Sequence, residues 1–190
     1  MKKQILILPM LILALVFTGC SDDDPLPVNE MEVITTVEVT LTNGTDSYVL
    51  SWEDLDGDGP DEAVVEGATI PAGTYSGDIQ LYNKTVPEDD EEYVVTVEIL
   101  EEELDHQFFF NPINGLDLDG DYSDEDSAGN PIGQQFEITA AASSGDLSIV
   151  LLHLPDKNAA GVSDGVIDNA FSDELGTDTD IDISFPITVQ

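Results

Sequence analysis

Short stretches of alternating apolar and polar residues recur along most of the chain. The first, 33–42, places Val37, Val39 and Leu41 on one face with polar residues between them, which is the period of two expected of a half-buried strand. Asn43-Gly44 follows and is typical of a tight hairpin turn. The same alternation predicts further strands at 48–52, 75–82, 93–100, 106–110, 136–142, 147–154 and 181–189.

About nine short strands without intervening helices favour an all-β fold. The segment 91–104 has a helical alternative, but its central run Tyr93-Val94-Val95-Thr96-Val97 is rich in residues that prefer strands. We therefore expect an antiparallel β-sandwich of the Ig-like or Greek-key type. A single domain spanning 33–190 is the simplest organisation.

A basic and then apolar leader precedes these strands. Two lysines are followed by the apolar run 5–17, which is shorter than the roughly 20 residues that cross a bilayer. This layout predicts a secretory signal, residues 1–19. Phe17-Thr18-Gly19-Cys20 resembles the lipobox of bacterial lipoproteins, and the resemblance implies cleavage before Cys20 and its lipidation, which would anchor the protein to a membrane. The alternative is an ordinary signal peptide beside a stray thiol.

An acidic, proline-containing segment follows the cysteine. Ser21-Asp22-Asp23-Asp24 resembles the surface-export signal of lipoproteins in Bacteroidota, and the resemblance implies display on the outer leaflet of the outer membrane. A plain solvated tether is the alternative. Because polar segments that contain proline act as linkers, residues 20–32 are predicted to form a tether.

Four segments resemble a group of flavobacterial lipoproteins: Asp54-Leu55-Asp56-Gly57-Asp58-Gly59-Pro60, Gly73-Thr74-Tyr75-Ser76-Gly77, Asp105-His106-Gln107-Phe108-Phe109-Phe110 and Gly161-Val162-Ser163-Asp164-Gly165. The similarity spans most of the chain beyond the leader. Members of the group tend to be encoded beside TonB-dependent outer-membrane receptors. The resemblance implies surface nutrient uptake with such a receptor as a partner, and it transfers no functional residue.

The charge balance excludes one class of partner. The chain has 41 acidic residues against 4 lysines and arginines, for a formal net charge of −37, and it contains no arginine. Because binding to a phosphate backbone needs clustered basic residues, nucleic acid is excluded, as is direct adsorption to anionic lipid. So large a charge calls for neutralisation by divalent cations, salt or a basic partner.

The first acidic loop has the spacing that opens an EF-hand, with three aspartates at alternate positions followed by glycine. Position twelve of the pattern is Val65 rather than a bidentate glutamate, so this segment predicts a calcium site in a β-loop rather than an EF-hand. A solvated acidic turn is the alternative. The candidate calcium ligands are Asp54, Asp56, Asp58, Asp61 and Glu62.

Two further acidic groups follow. Asp117, Asp119 and Asp121 repeat the spacing within a predicted long loop, 111–133, and long acidic loops inside compact domains are commonly functional. A second calcium site is the prediction there, with a solvated loop as the alternative. A third group lacks compact ligand spacing and favours a solvated face; it comprises Asp164, Asp168, Asp173, Glu174, Asp178, Asp180 and Asp182.

His106 and His153 are the only histidines. On the predicted strands, His106 shares a face with Phe108, and His153 shares one with Leu151. Two histidines on facing strands could bind zinc or copper, or could hold a haem iron from both sides. The alternative is that both are core residues hydrogen-bonded to backbone.

No catalytic motif points to a reaction. The chain has no Gly-x-Ser-x-Gly elbow, no His-Glu-x-x-His sequence and no phosphate-binding glycine loop. The sequence therefore predicts an outer-membrane surface lipoprotein that binds a ligand or partner in nutrient or metal uptake beside a TonB-dependent receptor. The alternatives are a structural or adhesive, calcium-stabilised surface module and a secreted hydrolase of unrecognised type.

Overall fold

The structure is a computed structural model that describes residues 32–57, 59, 61–162 and 178–190. These residues belong to one unit, Met31–Gln190, and no helix among them is long and apolar enough to cross a bilayer. They form ten strands and one short helix: β1 (Thr36–Asn43), β2 (Asp46–Glu53), β3 (Val64–Glu66), β4 (Ala68–Ile70), β5 (Gly73–Tyr82), α1 (Val95–Glu101), β6 (His106–Ile113), β7 (Leu118–Tyr122), β8 (Gln135–Ala140), β9 (Ser143–His153) and β10 (Asp178–Val189).

The strands form two sheets. The first has six strands in the order β3-β2-β1-β5-β8-β7, and the second has four in the order β4-β10-β9-β6. Neighbouring strands are antiparallel except for the short β4, which runs parallel to β10. Buried residues of both sheets belong to one hydrophobic cluster. The predicted all-β sandwich is therefore confirmed.

The period-two alternation seen in the sequence is what fills this core. Val37, Val39 and Leu41 of β1 are completely buried, and Phe108 and Phe110 of β6 join the same cluster. Each buried side chain of this size stabilises the fold by about 1.5–3 kcal/mol relative to an exposed one.

The predicted hairpin turn joins β1 to β2. Asn43 pairs with Asp46 across the turn, and Gly44 has a φ of 62°. This left-handed conformation is open to glycine without the steric cost that a Cβ would bring.

The strand predicted at 93–100 is wrong, because this segment forms α1. Val95 and Ile99 stand four positions apart and are both buried in the core, which is the spacing of one helical face. The Thr96 hydroxyl accepts a hydrogen bond of 2.7 Å from the backbone N–H of Leu81 in β5. Burial of one helical face and this hydrogen bond outweigh the strand preference of the valines.

The long loop predicted at 111–133 is also wrong in its first half. The strand β6 continues to Ile113, and Leu118–Tyr122 forms β7 at the edge of the six-stranded sheet. The strands β3 and β4 were not predicted, and each has only three residues.

A buried lysine fixes the turn that follows β7. The Nζ of Lys157 lies 2.9 Å from an Asp126 carboxylate oxygen and 2.6 Å from the backbone oxygen of Glu103. Asp126 also accepts hydrogen bonds from two backbone N–H groups of its own turn, those of Ala128 and Asn130. This acidic residue is therefore structural rather than a free metal ligand.

Candidate metal centre

Three strands of the four-stranded sheet bring polar side chains to the same end. The strand β6 begins at His106 and β9 ends at His153, and the two residues are directly paired. The strand β10 runs antiparallel to β9 and begins beside it, with Asp178 paired to His153. Chain segments distant in sequence therefore meet at this end of the sandwich.

A bulge in β10 lies at this point. The pairing between β9 and β10 shifts between Thr179 and Ile181, which leaves Asp180 as the additional residue. A bulge can turn a side chain away from the direction that strict alternation would give it. The Asp180 side chain is 0% exposed, so its carboxylate points into the protein rather than into solvent.

The fourth group comes from outside the sheet. Glu32 lies in the segment that leads into β1, and its side chain is only 2% exposed. Its Oε1 atom lies 3.2 Å from Nε2 of His106. Glu32, the last residue of the predicted tether, thus packs its side chain against the domain.

The four side chains form a compact cluster. One ligand atom from each of Glu32, His106, His153 and Asp180 can be chosen so that all four lie within 4.8 Å of one another. The Nε2 atom of His106 lies 3.8 Å from Oδ2 of Asp180. The two imidazole rings stack with their centroids 4.5 Å apart and an angle of 21° between their planes. In the described part of the chain, this is the one group of three or more such ligands that converges in this way.

Several atoms of the cluster are buried without a hydrogen bond. They are Oε2 of Glu32, Nε2 of His106 and both carboxylate oxygens of Asp180. The contact between His106 and Glu32 is thus close but not aligned as a hydrogen bond. A buried charge without a partner costs several kcal/mol, so the cluster needs positive charge in its centre.

Burial and mutual charge shift the protonation of the cluster. Burial, reinforced by the negative charge of Glu32, raises the pKa of Asp180 from 3.8 to about 6. Burial disfavours the imidazolium form of His106, but the neighbouring Glu32 carboxylate outweighs this and raises the pKa of His106 above 6.5. Burial likewise opposes ionisation of Glu32, yet the facing His106 ring lowers the pKa of Glu32. Without a metal ion, protons would have to supply part of the positive charge.

The backbone favours the His106 tautomer that a metal ligand needs. Its Nδ1 atom lies 3.2 Å from the backbone oxygen of Glu102, just after α1. When Nδ1–H donates to this carbonyl, the lone pair of Nε2 points toward the two carboxylates. Metal-bound histidines commonly donate their second N–H in this way.

Two of the separations in the cluster are close to those of a small coordination sphere. With metal–ligand distances of about 2.0–2.1 Å, the ligands of a tetrahedral zinc ion stand about 3.4 Å apart. The contacts of 3.2 and 3.8 Å made by His106 bracket this value. Two imidazoles and two carboxylates suit Zn²⁺ or Cu²⁺, whereas Ca²⁺ prefers six to eight oxygen ligands.

The sequence singled out both histidines and the faces on which they lie. The structure places His106 and His153 on the inner face beside Phe108 and Leu151, as the alternation predicts. Their direct stacking leaves no space for a porphyrin between the rings, so the geometry favours the transition-metal alternative over haem.

The first acidic loop is only partly described, because Asp58 lies outside the described residues. Asp54 and Asp56 accept hydrogen bonds from the backbone N–H groups of Gly57 and Asp61. Together with Asp61 and Glu62 they line an open depression on the surface. Calcium binding at this loop stays a prediction.

The second predicted calcium site lies on and just before an edge strand rather than in a long loop. Asp119 and Asp121 lie on the exposed face of β7, and Asp117 is exposed just before it. Alternate residues of a strand stand almost 7 Å apart along its axis, so the backbone spaces Asp119 and Asp121 more widely than a tight loop would. Calcium binding at Asp117, Asp119 and Asp121 stays a prediction.

Sequence reasoning missed the two carboxylates of the centre. Asp180 was placed in a solvated acidic face, which is wrong for this residue because the bulge buries it. Glu32 was placed in the tether. Of the acidic group that contains Asp180, only Asp178 and Asp182 also lie among the described residues. The predicted signal segment 1–19 and Cys20 lie outside them. The sequence of β10 carries no signal of the bulge, because Asp180 and Asp182 both alternate with the apolar Ile181 and Ile183.

Comparisons with known proteins add no relative. No family model matches the chain, and neither a curated protein nor a solved structure resembles it significantly. The chemistry of the centre therefore has to be argued from its own residues.

Proposed function

We propose that this protein binds one divalent transition-metal ion, Zn²⁺ or Cu²⁺, through Glu32, His106, His153 and Asp180. The observation that carries the proposal is the convergence of four buried ligand groups from four separate segments, with carboxylate oxygens that lack hydrogen-bond partners. Converging ligand atoms that lack hydrogen-bond partners are an arrangement that a metal ion can complete.

The character of the site supports binding rather than catalysis. All four groups are buried, with both histidines at most 2% exposed. Catalytic zinc sites keep one position open for water or substrate, whereas sites with four protein ligands hold the ion itself. The hydrolase alternative therefore has no support in this geometry.

The proposed biological setting is metal uptake at the cell surface. A lipid anchor on Cys20, export to the outer leaflet and a TonB-dependent receptor as partner follow from the resemblances in the N-terminal and loop motifs, and they remain part of this proposal. The large negative charge of the chain would also raise the local concentration of metal cations around it. A structural surface module is the competing role, and co-purification of a receptor from detergent-solubilised outer membrane distinguishes the two.

Titration of the metal-free full chain with Zn²⁺ and with Cu²⁺ tests the binding proposal. Because surface carboxylates adsorb cations weakly, the buffer should contain excess Mg²⁺. We expect one tightly bound ion per chain and at least about tenfold weaker binding by Asp180→Asn, which corresponds to 1.4 kcal/mol. Asp182→Asn is the matched control, since Asp182 lies on the same strand but is exposed. Equal affinity in both variants and the wild type would overturn the proposal.

A further inference from the structure

One ligand of the centre comes from the segment by which the chain enters the domain. His106, His153 and Asp180 all belong to the four-stranded sheet. Glu32 does not, and residues 32–35 lie in no strand. The carboxylate of Glu32 thus links the start of the domain to the opposite sheet.

The contacts that hold residues 32–35 to the domain differ along the segment. From Thr35 onward, backbone hydrogen bonds hold the chain. The Thr35 N–H donates to the backbone oxygen of Tyr82, and the Thr35 carbonyl accepts from the Asp54 N–H; each bond is 2.9 Å long. Ile34 packs against the core from one side, while Val33 is 57% exposed. Before Thr35, the buried carboxylate of Glu32 is therefore a principal contact that can hold the chain in place.

A metal ion would add to the attraction on that carboxylate, which otherwise lies between the ring of His106 and a second carboxylate. Without a metal ion, Glu32 faces the buried oxygens of Asp180, and Oε2 of Glu32 has no hydrogen-bond partner. Two carboxylates in one buried site repel each other. With a divalent cation between them, both are attracted to the same point.

We propose that metal binding fastens the N-terminal segment of the domain, residues 32–35, to the four-stranded sheet. This inference rests on the proposed metal site. It adds that the ion acts as a clamp between two parts of the protein.

Hydrogen exchange at a single backbone amide tests the clamp. The Thr35 N–H bonded to Tyr82 is the probe, because it opens when the segment detaches from the domain. In the full chain we expect saturating Zn²⁺ to slow its exchange at least about tenfold. The Ser123 N–H, bonded to Gln135 in a different part of the fold, is the control for general stabilisation.

Two variants separate the clamp from binding. Glu32→Gln, measured at a Zn²⁺ concentration that still fills the site, should lose the slowing at Thr35. Asp180→Asn, also filled with Zn²⁺, should keep it, because Glu32 remains a ligand. If Glu32→Gln cannot be filled, Glu32→Asp takes its place, and zinc-dependent slowing should return with the carboxylate.

The outcomes distinguish the two proposals. Failure of the wild-type chain to bind Zn²⁺ removes both the metal site and the clamp. Binding of one ion with unchanged exchange at Thr35 overturns the clamp alone, and so does slowing that persists in zinc-filled Glu32→Gln. Zinc-filled Glu32→Asp without slowing at Thr35 would likewise count against the clamp.

Discussion

Replacing Asp180 by asparagine should make the metal-free protein more stable and the zinc-bound protein less stable. The folded state holds the pKa of this carboxyl at about 6 instead of 3.8, chiefly because the group is buried. A group whose pKa is raised by folding destabilises the fold once it is ionised. Its cost is therefore absent below pH 3.8, grows as the pH rises toward 6 and is complete above that value.

The size of the effect follows from the shift. A rise from 3.8 to about 6 corresponds to at most about 3 kcal/mol at neutral pH and above. Asparagine removes the charge but leaves a buried amide that lacks full hydrogen bonding. We therefore expect Asp180→Asn to raise the free energy of unfolding by about 1–2 kcal/mol at pH 7.5 in EDTA, and to flatten its dependence on pH between 4 and 7.

Zinc should reverse this order. A ligand at a thousand times its dissociation constant stabilises the folded state by about 4.1 kcal/mol. If the variant binds a hundredfold more weakly, the same zinc concentration stabilises it by only about 1.4 kcal/mol, and the wild type becomes the more stable protein. Urea denaturation with EDTA and with Zn²⁺ measures both states.

The exposed Asp182 provides the control for the loss of one negative charge. Asp182→Asn should change stability by less than about 0.5 kcal/mol, with or without zinc. If metal-free Asp180→Asn is less stable than the wild type, the buried carboxylate does not destabilise the metal-free fold and this expectation is wrong.

Other features give further tests. Lys157→Met leaves the buried Asp126 charge without its partner and should lower the free energy of unfolding by about 3–5 kcal/mol, whereas Lys84→Met breaks an exposed pair and should cost less than about 1 kcal/mol in the same urea denaturation. The buried pair should also set the acid sensitivity: burial opposes ionisation of Asp126, but the hydrogen bond from Lys157 prevails and lowers its pKa below 3.8. The stabilisation that ionised Asp126 gives the fold is therefore complete above about pH 4 and is lost as the pH falls through the lowered pKa. Acid titration of the wild type and of Asp126→Asn, followed by circular dichroism, should show a difference between the two proteins below pH 4. Gly77→Ala would place a Cβ 2.2 Å from the ring of Phe136 and should cost about 1–3 kcal/mol; a thermal melt that shows no loss would contradict this packing.

The sequence was a good guide wherever strict alternation held. The faces of β1, β6 and β9 could be read from the period of two, and with them the inward positions of His106 and His153. Direct pairing of the two histidines could not be read in this way, because it depends on the register between residues that stand 47 positions apart in the sequence. A helix over 95–101 was missed because burial of Val95 and Ile99 outweighs the strand preference of their neighbours.

The sequence pattern could not predict that Asp180 and Glu32 belong to the centre, for two reasons. Asp180 reverses direction at a bulge, and a one-residue insertion into a strand has no reliable signal among so many acidic residues. Glu32 precedes the first strand, so no periodicity assigns it to a face. Only the fold brings it within 3.2 Å of His106.

X-ray absorption at the zinc edge of the zinc-loaded full chain reports the ligands of the bound ion. We expect four ligands at about 2.0–2.1 Å, two of them with the multiple-scattering signature of imidazole, and loss of that signature in a double variant, His106→Ala with His153→Ala. A shell of oxygen atoms alone, unchanged in the double variant, would show that zinc sits among the surface carboxylates and would contradict the proposed centre.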